Sequence, residues 1–180
     1  MALPSLGTLE SLPALEHPDL LGPPVLAALR SWPHTDQVAV VAIDPAHADT
    51  AVMAETYDLA LDTGANCVVV GGKRDGEERV AACLVRADTR ADVNSTVKRT
   101  LDVRKASFLP LERAVEESGM EYGGITPVGL PAAWRLLVDA RVLAMPVALI
   151  GSGVRHSKLL VPGHLCADLP QAEVVQGLAG

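Results

Sequence analysis

Short runs of β-branched and other apolar residues recur along the chain and predict buried strands. The clearest runs are residues 37–43 (QVAVVAI), 67–70 (CVVV) and 79–86 (RVAACLVR). A charged segment around Gly76 separates the last two runs, so we expect them to form a hairpin. Shorter strands are predicted at residues 106–109, 135–139, 146–150 and 158–161.

Helices are predicted where a capping residue or a proline precedes a suitable stretch. Pro23 and Pro24 suit the first turn of a helix that ends at Trp32. Asp44 is a candidate N-cap for a helix over residues 45–61. The other predicted helices cover residues 92–102, 110–118 and 171–176.

The order of these elements predicts an α+β fold with a mixed sheet. Several strands are joined by turns too short for a crossover, which disfavours a doubly wound parallel sheet. Residues 1–22 contain leucines and prolines at loose spacing, and we expect them to form an arm that packs on the domain or on a partner. The domain itself is expected to cover residues 23–180.

Composition and charge narrow the functional classes. The chain has 180 residues, of which 49% are hydrophobic, enough for a single core. Its net charge of -7 argues against a broad nucleic-acid surface, and so against DNA, but not against a small basic pocket that grips the end of one RNA strand.

Targeting and metal-binding signals are lacking in the sequence. Residues 1–17 have no basic segment followed by an apolar one, and the apolar run 142–150 is too short to span a bilayer. A cytoplasmic location without a membrane partner is therefore expected. The three cysteines lack metal-ligand spacing, and no glycine fingerprint for a nucleotide cofactor follows any strand. We predict no metal and no cofactor.

A loop rich in glycine and proline, residues 122–131 (YGGITPVGLP), interrupts the regular elements. Residues 123–129 match the pattern G-G-[I/V]-[S/T]-P-x-G, which YbaK-like editing domains carry at the same place in their order of elements. On these residues the chain resembles the YbaK/prolyl-tRNA-synthetase-associated editing domains, over roughly residues 23–176.

The resemblance implies both a fold and a reaction. The fold is a barrel-like mixed sheet of roughly six to seven strands flanked by helices. The reaction is hydrolysis of the ester between a wrongly attached amino acid and the 3′ ribose of tRNA. Backbone N–H groups can stabilise the oxyanion of such a reaction without an ionisable side chain. The resemblance assigns catalysis to the loop, at residues Gly123, Gly124, Ile125, Thr126 and Pro127, and substrate binding to Gly129.

One position departs from the family pattern. Many members have a lysine in the strand that leads into the hairpin, where it is thought to hold the terminal nucleotide. The matching position here is Asn66, which can donate a hydrogen bond but carries no charge. We keep Asn66 as a catalytic candidate, and Lys98 and Lys73 are candidate substitutes for the missing cation.

A second glycine-containing turn, residues 151–153, is expected to border the pocket. Ser152, Gly153 and His156 are candidate substrate-binding residues, since a histidine there could orient a water or contact the ribose. Arg155 and Lys158 could meet the terminal phosphate. A small apolar amino-acid pocket is expected, and its candidate walls are Leu61, Cys67, Val69 and Ile125.

Three functional readings remain open. The first is a freestanding trans-editing deacylase that acts on tRNA mischarged with a small amino acid such as alanine, serine, cysteine or proline. The second is a non-catalytic module of the same fold that binds an aminoacyl-tRNA end or a nucleotide-like ligand, which the uncharged Asn66 favours. A partner synthetase could supply RNA affinity to either. The third is a structural protein without a ligand, which would fill the pocket with side chains.

Overall fold

The computed structural model describes residues 2–180, apart from the side chain of residue 50. Nine strands and five α-helices follow one another among these residues, joined by 3₁₀ and π-helical turns. The strands are β1 (Leu12–Pro13), β2 (Ala39–Ala42), β3 (Ala65–Arg74), β4 (Glu77–Arg86), β5 (Ala106–Phe108), β6 (Arg135–Asp139), β7 (Ala148–Gly151), β8 (Ser157–Val161) and β9 (Ala172–Val175). The helices are α1 (Pro23–Ser31), α2 (Thr50–Thr56), α3 (Lys98–Leu101), α4 (Leu111–Ser118) and α5 (Ala140–Leu143).

The strands form two sheets. One has the order β1-β2-β8-β7 and is antiparallel throughout. The other has the order β5-β3-β4-β6-β9, in which β6 runs parallel to both β4 and β9. The α+β class and the mixed sheet are therefore confirmed. The expected arrangement of about six to seven strands in one barrel-like sheet is corrected to two sheets that do not close into a barrel.

The main hydrophobic core lies between the two sheets and α1. It includes Leu29 from α1, Val40 from β2, Leu84 from β4 and Leu159 from β8. A second cluster covers the opposite face of β4, where Ala81, Cys83 and Val85 pack with Val97 and Leu101. Residues 80–85 (VAACLV) are continuously apolar because this part of β4 is buried on both faces.

The sheets meet beside the start of β3. Gly64, directly before β3, forms an isolated parallel bridge with Leu149 of β7. On the same side of β3, β5 pairs only with residues 70–72. Between the bridge at Gly64 and the pairing with β5, residues 65–68 therefore have no paired strand on that side within the described chain. This gap in the sheet is where the candidate site lies.

Several predicted elements have different bounds, and one has a different type. The hairpin around Gly76 is confirmed, with ten paired residues on each strand. The helix predicted over 45–61 is wrong in extent, because Asp49 caps a separate short helix, α2. The helix predicted over 92–102 begins as a π-helical turn. Residues 172–175, predicted as helical, form strand β9 instead.

Residues of the predicted arm take part in the fold. Leu12 and Pro13 pair with Val40 and Ala39 of β2, and Leu9 and Leu21 are buried. The division at residue 22 stays a prediction. None of the helices in the described chain has the length and apolar character needed to cross a bilayer.

Candidate active site

A cavity of about 390 Å³ opens between the first half of β3, the end of β7 and the loop of residues 121–125. Its walls are mostly apolar. They include Met53 from α2, Val69 from β3 and Leu149 from β7. Asn66, Gly123 and Ile125, three of the predicted catalytic residues, line it together with the predicted walls Leu61, Cys67 and Val69.

The loop is fastened to the segment that follows β7. Gly153 N–H donates to the Gly124 carbonyl at 2.8 Å, and Glu121 N–H donates to the Gly153 carbonyl at 2.9 Å. A Cβ at Gly151 would lie 2.6 Å from the Gly124 carbonyl oxygen, and one at Gly124 would lie 2.8 Å from the Val154 backbone. The two segments can approach this closely because both positions are glycine.

At position 123, glycine is needed for a different reason. Its φ is +76°, a left-handed conformation that residues with a Cβ rarely adopt. This conformation brings the Gly123 carbonyl to Lys158 of β8, whose Nζ donates to it at 3.2 Å. The loop and β8 are thereby joined at the wall of the cavity.

Lys158 is the only charged side chain among the described residues that line the cavity. It is half-buried and forms no ion pair within the described chain. Burial lowers the pKa of its ammonium group, and the nearby positive charge of Arg155 lowers that pKa further. An unpaired cation in an apolar cavity is suited to an anion or to a carbonyl that develops negative charge.

Two backbone donors of the loop are also unused. The N–H groups of Gly123 and Ile125, which both line the cavity, make no hydrogen bond within residues 2–180. Their neighbour Gly124 differs, since its N–H donates to the Glu121 carbonyl at 2.9 Å. The cavity is therefore lined by two residues whose N–H groups have no partner within residues 2–180, together with a cation.

Asn66 lies on the strand side of the cavity. It is exposed and pairs with Val85 in the β3–β4 ladder. Its neighbour Cys67 also lines the cavity, and burial raises the pKa of the Cys67 thiol so that it stays protonated at neutral pH. Asn66 and Lys158 thus reach the same cavity from different sheets.

The remaining loop residues lie behind the cavity wall. Thr126 and Pro127 are buried and do not line the cavity, and Thr126 Oγ1 has no hydrogen-bond partner among the described residues. Gly129 has φ +81° and packs against the backbone of Pro24 in α1. The structure therefore puts these three residues where they can position the loop, and their assignment to the site stays a prediction.

The second predicted turn binds the N-terminal segment. Ser152 is buried and its hydroxyl pairs with that of Ser157 at 2.7 Å, while its carbonyl accepts from Gly22 N–H at 2.9 Å. Gly153 packs against Gly22. His156 Nε2 lies 3.3 Å from the Asp19 carbonyl. None of Ser152, Gly153 and His156 lines the cavity.

The proposed substitutes for the family lysine are not in the cavity. Lys98 is exposed at the start of α3, and Lys73 lies at the far end of β3. Sequence reasoning considered Lys158 only as a phosphate contact. The sequence did offer one signal for this role, a lysine inside the apolar strand SKLLV. The contact of Lys158 with Gly123 could not be predicted, because it depends on the pairing of β7 and β8.

Sequence reasoning also missed two aromatic residues at the mouth of the cavity. Phe108 and Tyr122 line the cavity and are 61% and 60% exposed. The Arg155 guanidinium lies 5.2 Å from the centre of the Tyr122 ring.

Among residues 2–180, no three His, Cys, Asp or Glu side chains are grouped to hold a metal ion.

A family model matches a large part of the chain. The model of a family described as "Aminoacyl-tRNA editing domain" matches residues 44–169, which is more than half of the chain and includes the loop, Asn66 and Lys158. No curated protein matches the chain.

Solved structures share the fold at low sequence identity. A candidate trans-editing enzyme for prolyl tRNA synthetase is 19% identical, with a TM-score of 0.72, and the match covers 85% of this chain and 93% of that one. The hypothetical protein APE2540 is 20% identical, with a TM-score of 0.68 and coverage of 78% and 90%.

Proposed function

Because the chain belongs to the aminoacyl-tRNA editing domain family, we propose that it is a deacylase that hydrolyses the ester of mischarged aminoacyl-tRNA. The observation that supports this most strongly is Lys158, an unpaired ammonium group in the cavity wall beside the loop carbonyl of Gly123. The main alternative was a binding module that has no cation in its cavity. The presence of Lys158 in the cavity wall disfavours that alternative.

The reaction needs little acid–base chemistry from the protein. A water oxygen adds to the ester carbonyl carbon, the bond from that carbon to the ribose oxygen breaks, and the ribose oxygen takes up a proton. The products are a free carboxylate and an unacylated 3′ end. In this proposal the substrate's own free ribose hydroxyl, beside the ester, helps the proton move. The protein then has to hold the ester and stabilise the oxyanion.

Three groups are assigned to the oxyanion. The unused N–H groups of Gly123 and Ile125 are donors, and the Lys158 ammonium supplies positive charge in an apolar surrounding, where its effect is strongest. Asn66, on the opposite strand, is assigned to the terminal nucleotide as an uncharged donor.

The apolar walls favour a small amino acid without charge. Cys67, Val69 and Ile125 provide walls without a carboxylate, so a charged side chain would be desolvated without a partner. Discrimination between small apolar side chains is limited, because one methylene is worth about 1–3 kcal/mol. We therefore propose alanine, serine, cysteine or proline as the class, in the cytoplasm where charged tRNA is used.

The direct test is hydrolysis of tRNA charged in turn with alanine, serine, cysteine, threonine or proline. We expect one or two of these esters to be cleaved. Gly123→Ala should slow the reaction, because the new Cβ would need φ +76° and would lie 2.7 Å from Arg155 Nη1. Absence of hydrolysis of all five by the folded protein would contradict the proposal and favour binding without turnover.

A second test asks whether Lys158 supplies the charge. Lys158→Met is expected to lower kcat by about 100-fold, as for the loss of one oxyanion donor, while Lys98→Met, an exposed lysine outside the cavity, should leave kcat unchanged. Asn66→Lys should restore part of the activity in the Lys158→Met background. An unchanged kcat in Lys158→Met would remove Lys158 from the mechanism.

A further inference from the structure

The mouth of the cavity is unusually apolar. Seven large hydrophobic side chains of the described residues are exposed, and four of them line the cavity, namely Leu61, Phe108, Leu111 and Tyr122. The chain has only five aromatic residues, two Trp, two Tyr and one Phe. Both tryptophans are buried, whereas Phe108 and Tyr122 are the exposed aromatics at the mouth. Two of the five aromatic side chains are therefore exposed to water at the mouth of the cavity.

A second groove lies next to the cavity at Phe108. It has a volume of about 500 Å³, and Phe108 and Leu109 line both spaces. Its charged lining residues are Lys73, Arg104, Lys105, Arg113 and Glu78, which is four positive charges against one negative. The chain as a whole has a net charge of -7, so the charge of the residues that line this groove is opposite in sign to that of the whole chain.

Two of the four cations are free to bind an anion. Arg113 is held by Glu78 at 2.9 Å and by Glu117 at 2.7 Å, and Arg104 Nη2 lies 3.1 Å from Asp75. Lys73 and Lys105 form no ion pair within residues 2–180. Ion pairing therefore leaves the lysines as the available positive charges of the groove.

An exposed aromatic ring next to unpaired lysines is the combination that binds single-stranded nucleic acid. The ring stacks on an unpaired base, and the lysines neutralise the phosphates beside it. We propose that the groove binds the unpaired nucleotides that precede the terminal nucleoside of the RNA, with Phe108 stacked on one base and Lys73 and Lys105 at its phosphates. This inference rests on the proposed function, because it assumes that the terminal nucleoside occupies the cavity.

Binding can be measured without any ester. The probe is a fluorescein-labelled RNA hairpin with a four-nucleotide single-stranded 3′ end that finishes in adenosine, compared with the same hairpin without that end. The wild-type protein should bind the first more tightly in fluorescence anisotropy. Phe108→Ala should weaken this binding by about tenfold. Phe108→Trp should retain the binding, and the fluorescence of the new tryptophan should be quenched when RNA binds. Val174→Ala, an exposed apolar control on β9, should have no effect.

The lysines are tested through salt dependence. In the double variant Lys73→Ala with Lys105→Ala, the slope of log K against log salt should become less steep by about 1.4, since each single-strand phosphate contact contributes about 0.7. The charge-matched control is Arg30→Ala with Arg90→Ala, two exposed arginines outside both cavities. That control should keep the wild-type slope.

The outcomes separate this inference from the proposed function. Equal affinity for the two hairpins, or wild-type affinity in Phe108→Ala, would overturn the inference whether or not the protein hydrolyses esters. Loss of affinity in Phe108→Ala and in the lysine variant, with no hydrolysis by the wild-type protein, would support the groove as an RNA site and contradict the deacylase.

Discussion

The proposed catalytic role of Lys158 and its contribution to stability make opposite demands on this residue. Its ammonium group is half-buried, and the Gly123 carbonyl is its only hydrogen-bond acceptor among the described residues. Burial and Arg155 lower its pKa in the folded protein, whereas in the unfolded chain the group titrates as an ordinary lysine. At neutral pH the folded state therefore holds a charge that its surroundings disfavour.

This opposition has a measurable pH dependence. Between the lowered folded pKa and the ordinary lysine pKa, the unfolded state binds more protons, so the Lys158 contribution to the free energy of unfolding rises with pH. We expect Lys158→Met to remove that rise and to increase stability at pH 7, while activity falls. Urea denaturation from pH 7 upward measures this, with Lys98→Met as the exposed control. Lower stability of Lys158→Met at pH 7 would show that the contact with Gly123 outweighs the burial of charge.

Single residues were only partly predictable from the sequence. The glycine–proline motif predicted the loop, and Asn66, Gly123 and Ile125 do line one cavity. The position of Lys158 depends on β8 lying between β2 and β7, which local sequence does not reveal. Phe108 was hidden for a similar reason, because its exposure results from β5 being a short edge strand.

The loop of residues 121–125 depends on its neighbouring element for its shape. Gly151 ends β7 beside the loop, and a Cβ added there would lie closest to the Gly124 and Ile125 carbonyl oxygens. Backbone atoms cannot move aside as a side chain can, so any added atom must displace the loop. The site geometry is therefore set by the end of β7 as much as by the loop motif.

Adding one methyl group under the loop tests this dependence. Gly151→Ala should displace the loop, lower kcat by at least tenfold, and destabilise the fold by about 1–3 kcal/mol. Gly76→Ala is the control, because Gly76 has φ +85° but nothing within 4 Å of its Cβ position. It should cost about 1 kcal/mol without changing kcat. Wild-type kcat in Gly151→Ala would mean that loop position does not limit the reaction.

Elements with strong local signals were predicted better than those fixed by tertiary contacts. The β3–β4 hairpin had two apolar runs and a glycine turn, and it formed as expected. Residues 172–175 gave a helical pattern but pair as β9 with the edge of β6, a contact far away in sequence. The short helices near Asp44 and Asp49 each have their own side-chain cap, which divides the predicted single helix.

For the whole molecule, the N-terminal residues complete the antiparallel sheet and brace the site. β1 covers the edge of β2, and Ser157 Oγ donates to the Leu20 carbonyl. Gly22 N–H reaches Ser152 beside the loop anchor Gly153. The segment predicted as an arm thus contacts the same turn that is hydrogen-bonded to the loop of residues 121–125.

Removing residues 1–22 is expected to destabilise the protein and to promote association. The deletion removes the burial of Leu9 and Leu21, worth about 3–6 kcal/mol together, and exposes the edge of β2 to pairing with another chain. Thermal denaturation and sedimentation measure the two effects. An equally stable monomer would show that residues 23–180 fold independently, as the division predicted from sequence assumes.

The apolar mouth of the cavity also has a thermodynamic consequence for recognition. Leu61, Phe108, Leu111 and Tyr122 keep hydrocarbon surface in contact with water in the free protein. A ligand that covers them releases that hydration, and the heat capacity of the system decreases on binding. We therefore expect ligand binding at this site to become more exothermic as temperature rises.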